Sequence, residues 1–231
     1  MLMSDSLAYP TLPIFGSNSG YTVKRIFCVG RNYAAHAREM GRDPDREPPF
    51  FFTKFPDAIT VNGAAVTYPP GTSNYQFEGE LVLAIGKAGF RIPAEKANDY
   101  IYGYCVGLDM TRRDIQAKSK ENAHPWDTAK NFEESAPMSA LHPVSEVGYL
   151  ERGAIWLDVD GVRKQTGDLA DMIWTPAEVV AQLSLLYTIR PGDLIMTGTP
   201  AGVAAVTPGQ SLHVHVDGLT DLKITIRPPD A

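Results

Sequence analysis

The chain has 231 residues, of which 44% are hydrophobic and 21% charged, and a single domain of this size buries roughly 70% of the surface of its unfolded chain. Its 21 Lys and Arg against 27 Asp and Glu leave a formal net charge of -6. Because the two signs are mixed along the chain, this composition argues against a nucleic-acid partner. No apolar run approaches the roughly 18 residues of a membrane span, and the start lacks the order of a secretory signal. We therefore expect a cytoplasmic protein without a membrane partner.

Residues 1–22 are predicted to form an N-terminal arm, followed by a single catalytic domain at residues 23–231. The start of the chain is rich in Pro, Ser and Gly and shows no periodicity. Seven later runs are rich in β-branched and aromatic residues and are separated by Gly, Pro and Asp clusters, as expected of β-strands. They are Lys24–Val29, Glu80–Ile85, Ile101–Leu108, Ala154–Asp160, Asp193–Met196, Ser211–Val216 and Leu222–Ile226. The sequence thus predicts an α+β fold dominated by strands.

Turn and capping signals refine this prediction. The dipeptides at 160–161 and 217–218 are both Asp-Gly, which favours tight hairpin turns and therefore antiparallel pairing. Few helices are expected. The clearest runs from about Pro176 to Tyr187, with Thr175 as N-cap and Glu178 completing a capping box. Its apolar stripe is predicted to pack into the core and consists of Val179, Val180, Leu183, Leu186 and Tyr187.

Two acidic residues stand at the entrance to an apolar strand. Glu78 and Glu80 are two positions apart, so their side chains leave the same face of the strand. The run that follows is apolar on both faces, which is typical of a strand covered on both sides, and partly buried carboxylates there need a cation. An exposed strand start, which would solvate the two acids, is the alternative. Asp109 follows a second apolar run, and the three carboxylates converge if the two strands are neighbours. Such an oxygen-only set suits Mg²⁺ or Mn²⁺.

A His-Glu pair lies in a short predicted helix that begins after Asn32 as N-cap and ends before Gly41. His36 and Glu39 are three positions apart and share one face. Either the carboxylate orients the imidazole for general acid–base chemistry, with the pair activating a water, or the pair is a solvated surface contact. Because two helical turns are marginal without tertiary support, the segment is also a candidate lid that orders on ligand binding.

Basic and polar residues offer candidate contacts to a substrate. Arg113 and Gln116 are again three apart, on a helix expected over residues 111–120, where they either bind a substrate carboxylate or carbonyl or form an exposed polar face. Lys130 and the segment Met196–Val203 have the composition of loops that present backbone N–H groups to anions, with a plain turn as the alternative.

Four residues with reactive side chains are predicted to have structural roles. Cys28 and Cys105 stand inside apolar runs, outside any Cys/His metal pattern, and no adjacent basic residue lowers their pKa, so both are expected to be buried and reduced. His213 and His215 alternate with apolar residues. This pattern favours the outward face of an antiparallel strand over a metal pair.

These segments together resemble the fumarylacetoacetate hydrolase superfamily, specifically its acylpyruvase-like branch, over roughly Arg25–Arg227. One element departs from the family pattern, because Gly79 stands between the two acids where the family often carries a larger residue. Residues 30–52 look closest to the fumarylpyruvate hydrolase members that act in aromatic-compound degradation. The resemblance is carried, in order, by Gly30-Arg31-Asn32-Tyr33 with His36 and Glu39, Glu78-Gly79-Glu80, Leu108-Asp109-Met110-Thr111 with Arg113, Asp114 and Gln116, Lys130, and Thr197-Gly198-Thr199-Pro200 with Gly202 and Val203.

The resemblance implies a mixed β-sandwich roll of the fumarylacetoacetate hydrolase C-terminal-domain type, usually a homodimer, that binds Mg²⁺ or Mn²⁺. It also implies that His36 and Glu39 form a catalytic dyad on a lid. We accordingly predict a hydrolase that cleaves the C–C bond of an acylpyruvate, a small 2-oxo acid, with fumarylpyruvate giving fumarate and pyruvate as the best candidate. The predicted site has metal ligands Glu78, Glu80 and Asp109, catalytic residues His36, Glu39 and Lys130, and substrate-binding residues Arg31, Arg113, Gln116 and Thr199.

Two alternatives stay open at the level of sequence. Oxaloacetate decarboxylation would pass through the same enolate without an attacking water. Isomerisation of a related oxo diacid is a further possibility, and the sequence does not rank these reactions securely. A non-catalytic metal-binding scaffold belongs to a different class. The acid triad together with the His-Glu pair argues against it.

Overall fold

The computed structural model describes residues 9–40 and 47–229, and strands predominate within these ranges. In chain order the strands are β1 (Thr11–Pro13), β2 (Gly20–Thr22), β3 (Arg25–Gly30), β4 (Phe50–Lys54), β5 (Ile59–Val61), β6 (Ala65–Thr67), β7 (Tyr75–Gln76), β8 (Gly79–Ile85), β9 (Ile101–Leu108), β10 (Thr111–Arg112), β11 (Ala136–Met138), β12 (His142–Pro143), β13 (Ala154–Val159), β14 (Val162–Asp168), β15 (Asp193–Met196), β16 (Ser211–Val216) and β17 (Leu222–Arg227). The α-helices are α1 (Ala34–Glu39), α2 (Arg113–Glu121), α3 (Asp127–Lys130), α4 (Val144–Val147) and α5 (Pro176–Leu186).

The strands form two principal sheets. The larger sheet is mixed and has the order β4-β3-β15-β8-β9-β11-β5, with β12 also paired to β9. The smaller sheet has the order β14-β13-β16-β17-β6. In the middle of the larger sheet, β8 pairs antiparallel with both β15 and β9, while β3 and β15 run parallel. This arrangement places the start of β8 beside the end of β9, where the predicted acids lie.

The core explains why β8 is apolar on both faces. Leu81 and Leu83 belong to one buried cluster with Leu157 and Val214 of the smaller sheet. Side chains alternate along a strand, so the other face of β8 belongs to a second buried cluster that includes Val82, Ala84 and Leu12. Every residue of β8 is buried, as the sequence predicts.

The N-terminal segment takes part in the second of these clusters. β1 and β2 pair antiparallel as a hairpin, and Leu12 is fully buried. The Tyr21 hydroxyl donates to the backbone oxygens of Ile85 and Asp193, at 2.8 and 3.0 Å. Residues 11–22 are therefore tied to the larger sheet, and the division into an arm and a domain stays a prediction.

Most elements predicted from the sequence are confirmed. All seven strands occur, and both Asp-Gly dipeptides connect antiparallel neighbours, β13 with β14 and β16 with β17. α5 begins with the predicted capping box between Thr175 and Glu178. Cys28 and Cys105 are buried with free thiols, and burial raises the pKa of Cys105 to about 12. No α-helix in the described ranges is both long and apolar enough to cross a membrane.

Three details of the helix predictions are wrong. Lys130, predicted to lie in a loop, ends α3, a single turn too short to show a periodic pattern. The end of the α5 stripe is not core, because Leu186 and Tyr187 are 64% and 43% exposed; the helix ends at Leu186, beyond the edge of the core. The N-cap of α1 is Tyr33, with no side-chain cap, whereas Asn32 bonds to other loops. Gly41, expected just past this helix, lies outside the described residues.

Candidate active site

Three buried carboxylates meet where β8 begins and β9 ends. Gly79 pairs with Leu108 in the antiparallel register, and the Asp109 N–H donates to the Glu78 backbone oxygen at 2.9 Å. Glu78, Glu80 and Asp109 are only 5%, 2% and 1% exposed, and one oxygen from each lies within 4.8 Å of the other two. Strand pairing therefore produces the predicted convergence, and the carboxylates are not solvated at an exposed strand start.

Gly79, the departure from the family pattern, is explained by packing. A Cβ atom at this position would lie 2.9 Å from Val214 Cγ1 of the smaller sheet, which is closer than van der Waals contact allows. The Gly79 N–H also donates to Gln165 Oε1 at 2.9 Å. The glycine thus lets the smaller sheet approach β8 without displacing either acid.

Three cationic side chains compensate the carboxylates. Lys130 Nζ donates to Glu78 Oε2 and Asp109 Oδ2, both at 2.7 Å, and Arg113 donates to Glu78 Oε1. Lys54 Nζ lies 3.0 Å from Asp109 Oδ1. Burial raises the pKa of Glu78, but the cations Lys130 and Arg113 outweigh burial and hold this pKa well below its ordinary value.

Two carboxylate oxygens indicate room for a further cation. Although Lys54 Nζ is near, Asp109 Oδ1 accepts no hydrogen bond of good geometry from any described residue. Burial and the neighbouring Asp109 and Glu78 carboxylates raise the pKa of Glu80 well above its ordinary value; its one described donor is the Gly198 N–H, at 2.7 Å. A buried all-oxygen set with an orphaned acceptor and mutual repulsion fits a hard divalent cation.

The predicted His-Glu pair forms on α1, beside these carboxylates. His36 Nδ1 lies 3.0 Å from Glu39 Oε2, and Glu39 also accepts from the Gly202 N–H at 3.1 and 3.2 Å. His36 is 7% exposed and lines the same cleft as the triad. If Glu39 accepts the Nδ1 proton, Nε2 is the nitrogen left as an acceptor. The imidazole is therefore buried and oriented, whereas the Glu39 side chain remains 32% exposed.

Asn32 and Gly198 hold the base of this short helix. The Asn32 amide donates to the Trp174 and Thr197 oxygens, both at 2.8 Å, and accepts from the Trp174 N–H at 2.7 Å. Gly198 has φ +98°, and a Cβ atom there would lie 2.8 Å from Asn32 Cβ. A side chain at position 198 would thus disturb both the anchor of α1 and the backbone donor to Glu80.

The predicted substrate-binding residues lie in the cleft, and each has different contacts there. Arg113 is bonded to Gln76, Gln116 and Glu78, so its face of α2 is buried. The Thr199 hydroxyl donates to the Gly79 oxygen and accepts from Gln165, at 2.9 and 2.7 Å. Arg31 lies over the Phe50 ring, at 5.3 Å from its centroid.

The cleft has a volume of about 420 Å³, which includes the open solvent at its mouth. It brings together all the predicted site residues except Glu39, which lies behind His36. Sequence reasoning missed several further residues. Phe52, Trp126 and Lys120 also line the cleft, and the buried Lys54 sits beneath Asp109. The one sequence signal that could have indicated Lys54 was its position at the end of the aromatic run of residues 50–54.

The two histidines of β16 have the structural role predicted for them. His213 and His215 lie on the outward face of β16, where both contact one Asp221 carboxylate, at 2.6 and 2.7 Å. Their rings pack on Trp156, with centroid distances of 5.0 and 4.8 Å. Among the described residues, only the acidic triad has the close grouping of ligand atoms expected of a metal site.

Comparison with known proteins agrees with this geometry. The family model "Fumarylacetoacetate (FAA) hydrolase C-terminal" matches residues 25–227. The chain is 47% identical, over 83% of its length and all of the relative, to a fumarylpyruvate hydrolase of Ralstonia sp. It is 38% identical, over 89% of its length and 94% of the relative, to a mitochondrial oxaloacetate decarboxylase of Dictyostelium discoideum.

Among solved structures, the fumarylpyruvate hydrolase of Pseudomonas aeruginosa, in complex with Mn²⁺ and pyruvate, is similar at 49% identity and a TM-score of 0.93. The match covers 96% of this chain and 97% of that one. The predicted β-dominated fold of the fumarylacetoacetate hydrolase C-terminal-domain type is thereby confirmed. The family match over most of the chain and the close relatives show that the chain belongs to the fumarylacetoacetate hydrolase family.

Proposed function

We propose that this protein is a metal-dependent hydrolase that cleaves fumarylpyruvate into fumarate and pyruvate. One observation carries the proposal: the buried Glu78, Glu80 and Asp109 carboxylates share a cleft with His36, whose Nδ1 contacts Glu39. Such a site combines a place for a hard cation with a general base. The 47% identity to a fumarylpyruvate hydrolase supports this choice of substrate.

Glu78, Glu80 and Asp109 would hold the ion, Mg²⁺ or Mn²⁺. When bound, it would supply Lewis acidity that polarises a 2-oxo acid and stabilises the negative charge of an enolate. The similar Pseudomonas aeruginosa structure contains Mn²⁺ and pyruvate, which is consistent with either ion at an oxygen-only site.

His36 and Glu39 would activate the attacking water. The Glu39 carboxylate accepts a hydrogen bond from the N–H at Nδ1 of His36, so the proton of the neutral ring stays on Nδ1. Nε2 can then accept a proton from water as the water oxygen adds to the carbonyl carbon of the fumaryl group. Glu39 stabilises the imidazolium that results. The Gly202 N–H, which donates to Glu39, keeps the carboxylate in place.

Collapse of the tetrahedral adduct then breaks the bond between this carbon and the methylene carbon of the pyruvyl group. The bonding electron pair leaves with the methylene carbon, which gives the enolate of pyruvate, and the acyl carbon becomes a carboxyl group of fumarate. A proton, carried by the His36 imidazolium, completes pyruvate at that carbon. No oxidant or reductant is needed.

Cationic and neutral polar side chains of the cleft would orient the substrate oxygens. Lys130 and Gln116 are suited to bind the pyruvyl end, because Lys130 Nζ lies between Glu78 and Asp109 and Gln116 is held by Arg113. Arg31 and Thr199 line the same cleft and are proposed as further substrate contacts.

The test follows the ultraviolet decay of fumarylpyruvate, acetylpyruvate and oxaloacetate in parallel, with Mg²⁺, with Mn²⁺ and with EDTA, while pyruvate release is assayed. We expect metal-dependent loss that is fastest for fumarylpyruvate, with fumarate and pyruvate formed in equal amounts. Absence of turnover of either acylpyruvate with either metal would refute the proposal, and absence of turnover of all three compounds would favour a non-catalytic metal-binding protein.

Oxaloacetate decarboxylation is the second candidate, because the chain is 38% identical to an oxaloacetate decarboxylase over 89% of its length. This reaction needs the same stabilisation of an enolate but no attacking water. Fast loss of oxaloacetate with release of CO₂, without hydrolysis of either acylpyruvate, would favour it. Interconversion of oxo-diacid tautomers without loss of carbon would instead indicate an isomerase.

The proposal extends to a cytoplasmic homodimer without nucleic-acid or membrane partners. Apolar side chains at and beside the end of α5 support the dimer: Phe90, Leu185 and Leu186 are 51%, 52% and 64% exposed, and single-chain proteins rarely expose large apolar patches. Light scattering after size-exclusion chromatography tests the oligomeric state, since a monomeric mass at micromolar concentration would contradict the dimer. Cell fractionation tests the location.

A further inference from the structure

Lys120 differs from the other lysine of the cleft. It lies in the last turn of α2 and lines the cleft together with Arg31, Arg113 and Lys130. Arg113 and Lys130 are bonded to the carboxylates of the triad. None of the described carboxylates forms an ion pair with Lys120. Its Nζ instead lies over the Trp126 ring, 5.1 Å from the ring centroid.

An aromatic wall leads from the metal end of the cleft to this lysine. Phe52 and Trp126 line both the cleft and an adjoining open groove. Their ring centroids are 5.8 Å apart, and Phe50 meets Trp126 edge-on at 5.2 Å. Flat aromatic faces suit a planar conjugated chain, and the exposed groove provides room for a substrate longer than pyruvate.

The electrostatics of Lys120 favour an anion beside it. Partial burial lowers the pKa of its ammonium to about 8; the nearby cations Arg113, Arg31 and Lys130 add to this effect, and Glu78 opposes it. Lys120 therefore stands near several cations and has no carboxylate partner of its own among the described residues. A carboxylate beside Lys120 would relieve this repulsion and form a charge-assisted hydrogen bond.

We propose that Lys120, resting on Trp126, binds the distal carboxylate of a 2-oxo diacid and so makes the cleft selective for acylpyruvates that end in a carboxylate. This inference rests on the proposed function in one respect, namely that the 2-oxo acid end lies at the triad. The substrate then spans the cleft from Glu78, Glu80 and Asp109 to Lys120, with its unsaturated chain along Phe52 and Trp126.

The kinetic test replaces Lys120 with Met, which keeps an unbranched side chain one atom shorter and removes its charge. We expect the ratio of kcat/KM for fumarylpyruvate to that for acetylpyruvate to fall about tenfold or more, as for a lost hydrogen bond to a charged group. Lys120→Arg should retain most of the ratio. Lys118→Met, on the same helix but outside the cleft, is the matched control and should leave the ratio unchanged.

A binding test separates this inference from the proposed reaction. In the presence of Mn²⁺, calorimetric titrations compare pyruvate with 2-oxoadipate, a diacid that this chemistry does not cleave. Lys120→Met should weaken 2-oxoadipate about tenfold relative to pyruvate, whether or not the wild type hydrolyses fumarylpyruvate. Equal weakening of both ligands, or no weakening of either, would overturn the role of Lys120.

Discussion

Replacing Glu39 with Gln is the sharpest test of the water-activating pair. The change keeps the size of the side chain but removes the charge that lies 3.0 Å from His36 Nδ1. If the new amide group presents its NH₂ to Nδ1, the imidazole must place its proton on Nε2. Nε2 then has no lone pair with which to accept the proton of the attacking water. If the amide oxygen faces Nδ1, the tautomer is kept but the imidazolium loses its counter-charge.

Both outcomes remove most of the general-base contribution. Such catalysis is worth about 10²- to 10⁴-fold, which corresponds to roughly 3 to 5 kcal/mol of barrier at about 1.4 kcal/mol per tenfold change in rate. Glu39 bonds to His36 and the Gly202 N–H, and to no member of the acid triad. We therefore expect a large loss of kcat with unchanged affinity for Mn²⁺.

Stopped-flow and steady-state assays with fumarylpyruvate would measure kcat, and calorimetry would measure Mn²⁺ affinity for the same preparation. Glu151→Gln, an exposed acid before β13, is the matched control and should behave as wild type. A Glu39→Gln enzyme that keeps more than about a tenth of wild-type kcat, well above the general-base range, would refute the assignment of the base. So would an equal loss in Mn²⁺ affinity, because it would place Glu39 at the metal.

Three further predictions concern stability. Lys54→Met should lower the free energy of unfolding of the metal-free protein by about 3 to 5 kcal/mol, because it leaves the buried Asp109 charge without this partner; a loss under about 1 kcal/mol in urea titrations would contradict this role. Thr175→Ala should cost about 1 kcal/mol through loss of the α5 capping box, and an unchanged urea midpoint would show that the cap is not needed. Desolvation lowers the pKa of His215, but its bonds to Asp221 and Asp217 outweigh this, so the pKa is raised on folding. That stabilisation is complete below the unfolded pKa and is lost as pH rises through the folded one, so His215→Asn should destabilise by up to about 1 kcal/mol near pH 5.5 and by less near pH 9. An equal cost at both values would assign the effect to packing on Trp156.

The sequence determined the strands, and it did so where local patterns and tertiary structure agree. Ile101–Leu108, Asp193–Met196 and Ser211–Val216 have the predicted bounds, because β-branched and aromatic runs bounded by turn residues carry their own signal. The acids were also found from spacing. Glu78 and Glu80 must share a face of one strand, and the apolar run beyond them implied burial.

Only the tertiary structure decided which residues complete the site. Lys54 is far along the chain from Asp109, the acid beside it, and no periodic pattern distinguishes a lysine beneath a carboxylate from a solvated one. Asn32 is a residue type that favours the N-cap position, yet its side-chain amide donates to the backbone oxygens of Trp174 and Thr197. Leu186 fits an apolar stripe, yet it is exposed because the helix extends past the core. Strand formation depends on neighbours in sequence, whereas a site depends on distances between strands that are paired only after folding.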